Sequence, residues 1–162
     1  MVEPLPLLQD ALLAGVGATA FMDLWAALRS RLSGVRGPDY ALVGRWIGGM
    51  PQGRFRYPAI ATAPRVRGEA ALGWLAHYAV GVVFAMLLLG LCGPQPGLLA
   101  ALAFGAASTA APFLLMQPAF GMGVAASRTP QPARARLRSL GNHLVFGLGL
   151  YLAAQGNSLL RG

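Results

Sequence analysis

Lysine is absent from this chain, so all 13 basic residues are arginine, and only five residues are acidic. Charged residues make up 11% of the sequence; a soluble domain carries about a quarter. A surface so poor in charge is not built for water, and much of it is expected to face lipid. The one cysteine, Cys92, excludes an internal disulfide and any multi-cysteine metal site within one chain. The net charge of +8 does not point to nucleic acid. The arginines lie in loops between apolar runs, and the aromatic and basic modules that read nucleic acid are missing. Anionic lipid headgroups are the expected partner.

Long apolar runs are what the chain has instead. Residues 72–92 read LGWLAHYAVGVVFAMLLLGLC, 21 residues broken only by His77 and Tyr78. About 20 apolar residues at 1.5 Å each match the roughly 30 Å hydrocarbon core of a bilayer. No water satisfies the backbone there, so the segment must be helical. The same plan recurs, predicting spans over 7–28, 70–92, 98–122 and 137–155. The expected fold is all-α: a four-helix transmembrane bundle in a single integral membrane domain, 1–162. Glu3 and Asp10 at the start, and Asp23 within the first run, argue against a cleaved leader, which needs a basic start. GPQPG at 93–97 forces a tight reversal between the second and third spans. Pro112 and Pro118 each remove a backbone donor, so a kink is expected in the third.

The one long loop, 29–67, holds eight arginines, Arg36 among them, and is expected to carry a short interfacial helix over 40–50 capped by Asp39. Tyr40, Val43, Ile47 and Met50 would share its apolar face, with Trp46 at headgroup depth. Arg45, Trp46, Arg54 and Arg56 are the residues expected to touch lipid headgroups or to gate a site. The two loops over 29–67 and 128–138 hold 12 of the 13 arginines. Positive charge near span ends stays in the cytoplasm, which predicts both termini on the opposite face.

That topology gives the polar residues a depth. Asp23 lies about 9 Å of helix from Arg29, His143 about 8 Å from Arg138, and His77 about 12 Å from Glu69. With Gln117 in the third span, all four helices place a polar side chain in the cytoplasmic half of the bilayer. Ionisable residues within a membrane are functional candidates by default. The expected site is therefore Asp23, His77, Gln117, Asn142 and His143, with Asp23 as anionic centre, the histidines as donors or proton carriers, and the two amides orienting them. Such a site would bind or pass a proton, an ion or a small solute. The alternative is a non-transporting scaffold or assembly protein whose polar layer only fixes packing, through bonds averaging well under 2 kcal/mol in membranes.

Asp23, His77 and His143 could also supply three ligands to a metal with an open fourth position, although no ligand spacing supports it and no cofactor is predicted. Catalysis needs a nucleophile beside a base. Ser108, Ser127 and Thr129 have no histidine near them in sequence, though a fold could bring one. GMGVAAS at 121–127 lacks the spacing and lysine of a phosphate loop. Four helices would make a small transporter, so self-association is also expected.

MDLW at 22–25, YALVGRW at 40–46, GWLAHY at 73–78, MQPAFGMGVAASRTP at 116–130 and HLVFGLGLYLAA at 143–154 together resemble domain-of-unknown-function family 2938. The likeness spans nearly the whole chain. It implies a bacterial multi-pass protein of the inner membrane, with periplasmic termini under the charge rule. It implies no activity, ligand or catalytic residue.

Overall fold

The computed structural model describes residues 4–34 and 37–161; Glu3 and Arg36 lie outside them. Among the described residues every regular element is helical: α1 (Pro4–Ser33), α2 (Tyr40–Gly49), α3 (Glu69–Cys92), α4 (Leu98–Ser108), a π turn (Pro112–Met116), α5 (Gln117–Ala119) and α6 (Pro132–Arg161), with short 3-10 turns between. Three stretches are long and apolar enough to cross a membrane: Leu7–Ser33, Glu69–Cys92 and Leu98–Ala119. The fourth expected span, in α6, is not among them. Arginines fill its first turns, and Asn142, His143, Gln155 and Asn157 interrupt the rest.

The helix ends differ from expectation for local reasons. α1 continues through Arg29 and Arg31, because arginine is a good helix former. It stops at Gly34, whose φ of 66° is left-handed and whose N–H returns to the Ser30 carbonyl. α6 starts early at Pro132, since proline suits a first helical position. The kink expected at Pro112 appears as a π turn, where the Gln117 N–H reaches back to the Pro112 carbonyl.

The chain divides into two compact units. The first comprises residues up to 37, 78–108 and 141 onward. Its core is small inside and large outside. Ala11, Ala14, Ala18, Ala85, Ala101 and Ala154 pack with Leu88, Leu89, Phe146 and Leu150. Glycines bring the backbones together: a side chain at Gly15 would strike Val82, one at Gly105 would strike the His143 carbonyl, and one at Gly149 would crowd Ala18. Small residues at crossings are how helices associate where lipid removes the hydrophobic drive. Meanwhile Leu24, Leu91 and Leu99 stand 70%, 78% and 81% exposed. That inside-out pattern would be costly in water and suits a lipid surround.

The second unit comprises residues 38–77 and 109–140. Asp39 caps α2 as expected, its Oδ1 accepting from the Ala41 N–H at 3.0 Å. α2 crosses the first turns of α3 through Gly44 and Gly73. A side chain at Gly44 would overlap the Glu69 carbonyl, and one at Gly73 the Tyr40 carbonyl. The loop after α2 is sewn to the end of α5. Tyr57 N–H donates to the Ala119 carbonyl at 2.8 Å and Ile60 N–H to that of Phe120 at 3.2 Å. Ile60, Ala119 and Phe120 form a small core there, joined by Leu42, Val43 and Trp46.

Candidate functional site

In the first unit, α4 and α6 approach at Gly105 and Gly147, where neither backbone carries a side chain to hold them apart. Ser108 lies three residues beyond Gly105 and therefore on the same face of α4. It meets His143, one turn before Gly147 on α6, with Oγ and Nδ1 2.7 Å apart. Ser108 is 8% exposed. Its Oγ also lies 2.7 Å from the Gly105 carbonyl. A carbonyl only accepts, and a serine has one proton. Both contacts are satisfied together only when Ser108 donates to Gly105 and His143 donates through Nδ1–H. The pair thus orients the ring and favours the tautomer protonated at Nδ1. A nucleophilic serine would instead need its proton aimed at the ring nitrogen; here that proton serves the helix backbone.

Asp23, on α1 of the same unit, accepts from the Tyr78 hydroxyl on α3. Asn142, beside His143, is 8% exposed, and its Oδ1 is buried with no hydrogen-bond partner.

His77 and Gln117 belong to the second unit. His77 stacks on Tyr40 with centroids 3.9 Å apart and planes 22° apart, and meets Trp74 at 5.8 Å, edge to face. Its described ring contacts are therefore aromatic. Gln117 is 4% exposed, donates to Ser139 on α6 at 3.4 Å and leaves Oε1 buried without a donor. Thr109, also in this unit, has a buried hydroxyl in the same condition. Of the five residues expected to form the polar site, Asp23, Asn142 and His143 belong to the first unit and His77 and Gln117 to the second. Among the described residues no three His, Cys, Asp or Glu side chains stand together to hold a metal.

Arg45 departs from its expected place among headgroups. It is 5% exposed and turned inward. Its Nε and Nη2 reach the two Glu69 carboxylate oxygens, each at 2.8 Å, as a bidentate pair. Nη1 reaches the carbonyls of Ile60, Ala61 and Ala63 at 3.0, 3.3 and 3.1 Å. The carboxylate also takes the Val66 N–H at 3.0 Å. The Glu69 bond raises the Arg45 pKa above its ordinary value, burial opposing. Trp46 packs edge-on against Phe120 at 5.9 Å, and its indole N–H donates to the Phe55 carbonyl at 2.9 Å. Arg54 and Arg56 are exposed.

Two residues central to this arrangement carried weak sequence signals. Ser108 could be found only as the polar residue on the Gly105 face, one turn before a proline. Glu69 read as a charge suited to a helix N-terminus, with nothing to name its arginine.

The fold and its polar interior define an all-helical protein with three helices of membrane-spanning length and composition. The chain belongs to the family described as Protein of unknown function (DUF2938), whose model matches residues 12–156. No curated protein and no solved structure matches it.

Proposed function

We propose that this chain is a bacterial inner-membrane protein of four spans, α6 being the fourth, that handles a proton or a small polar solute through His143. The arginine-rich loops face the cytoplasm and meet anionic lipid through Arg54 and Arg56, and both termini lie in the periplasm. The observation that carries the reading is the Ser108–His143 bond: a titratable ring held by a buried partner, in a chain with only two histidines. Asp23, bonded to Tyr78 in the same unit, supplies the negative charge of the interior. The Gly105–Gly147 approach sets the ring's position, so charge on the ring is shared through Nδ1–H with Ser108 and the Gly105 carbonyl.

Reconstituted proteoliposomes with an entrapped pH dye and an imposed potential test this. Wild type should pass protons above the empty-liposome rate. His143→Gln should lose that flux while its melting curve stays close to wild type. Flux equal to empty liposomes, or unchanged in His143→Gln, would leave the polar interior to packing alone, as in a scaffold protein.

A further inference from the structure

A cavity of about 360 Å³ opens within the first unit, lined by the start of α1, the end of α3, the 93–97 turn and the end of α6. Its buried floor is Leu89, Ala154 and Asp10, the last only 9% exposed. Gln95, Asn157 and Ser158 line it further out. Asn157 ties α6 to α1 through the Asp10 carbonyl at 3.5 Å. The volume is at the lower end of the range for small-molecule sites, and an apolar floor with a few convergent polar groups is their usual make-up.

The charge is what sets this cavity apart. Among the described residues, Asp10 is the one ionisable side chain in its lining, in a protein with 13 arginines and five acids. A carboxylate offers about four lone-pair positions, so Asp10 retains capacity for a ligand donor beside any bond it makes within the protein. The amides of Gln95 and Asn157 and the Ser158 hydroxyl add further acceptors around it.

We infer that this cavity is a binding site for a small organic cation, a primary ammonium compound whose charged end pairs with Asp10 while its carbon chain lies on Leu89 and Ala154. Under the proposed topology, with both termini periplasmic, the site opens to the periplasm. It stands apart from His143, so either reading can fail alone.

Three hydrophilic probes share a four-carbon skeleton and differ in charge: 1,4-diaminobutane, 1,4-butanediol and succinate. Saturation-transfer NMR on the full chain in zwitterionic nanodiscs should show diaminobutane binding, with butanediol and succinate at background. Asp10→Asn keeps the shape and removes the charge; it should weaken diaminobutane about tenfold or more, the loss expected for a charged hydrogen bond. Ala154→Val narrows the floor and should weaken it with Asp10 intact. No diaminobutane binding to wild type, binding to Asp10→Asn or Ala154→Val as tight as to wild type, or preference for succinate would overturn the assignment.

Discussion

Removing the Glu69 charge should release the loop that Arg45 holds. Glu69→Gln keeps the side chain's length but replaces a bidentate carboxylate with an amide. The two 2.8 Å charge-assisted bonds are lost as a pair, and the guanidinium, 5% exposed, keeps only carbonyl partners. Breaking one partner of a buried ion pair costs about 3–5 kcal/mol. Salt should rescue little, because both side chains are withdrawn from solvent, at 6% and 12% exposure.

Trypsin gives a local readout of this loss. The bond after Arg65 is protected because the Val66 N–H is held by the Glu69 carboxylate itself. Arg54 and Phe55 lie exposed nearby and supply a reference cut. When opening is fast relative to cleavage, the cleavage rate follows the open population. A local loss of 3–5 kcal/mol should then raise cutting after Arg65 by roughly 100- to 4000-fold, at 1.4 kcal/mol per decade. The Arg54 cut should change far less. Arg45→Lys should behave almost as badly, since a lysine cannot span both oxygens and three carbonyls. Equal acceleration of both cuts would mean global loosening, and no acceleration at Arg65 would mean the pair holds nothing; either result would refute the clamp.

Glycine substitutions should separate close helix crossings from open ones. Gly147→Leu places a side chain against the Ala101 carbonyl and should lower the melting temperature in detergent by an overpacking cost of about 1–3 kcal/mol or more. Gly90 faces open space, so Gly90→Ala should raise that temperature, by about 0.5–1 kcal/mol of stability. Asp39→Ala should cost about 1 kcal/mol through the lost α2 cap, read as faster amide exchange at Ala41 and Leu42. Ser108→Ala leaves the His143 Nδ1–H without its oxygen, so nitrogen NMR should show the ring moving toward a tautomer mixture.

Much of the helical layout was legible in the sequence. The apolar runs, Asp39 ahead of α2, and the prolines of the third helix each state a local preference that the fold keeps. What was not legible depends on distant partners. Arg45 looked like a loop cation because Glu69 lies 24 residues on, and its three carbonyl acceptors are common to any backbone. Ser108 and His143 are 35 residues apart, and only the Gly105–Gly147 approach brings them together. Counting depth along each helix placed Asp23, His77, Gln117 and His143 on one level but carried no information about rotation or about which helices are neighbours. His77 accordingly lies on Tyr40, a ring from the segment read as interfacial.

The crossing of α2 and α3 repeats itself. Gly44 lies against the carbonyl of Glu69, four residues before Gly73, and Gly73 lies against that of Tyr40, four residues before Gly44. Each helix therefore presents a bare α-carbon and a carbonyl one turn earlier, and each receives the other's. Contacts of this kind let Cα–H groups face carbonyl oxygens. The pattern is that of an isologous interface, in which one patch meets its own image across a two-fold axis. Here a single chain supplies both copies of the patch, so an insertion of one residue between Tyr40 and Gly44 or between Glu69 and Gly73 would break both halves of the contact at once.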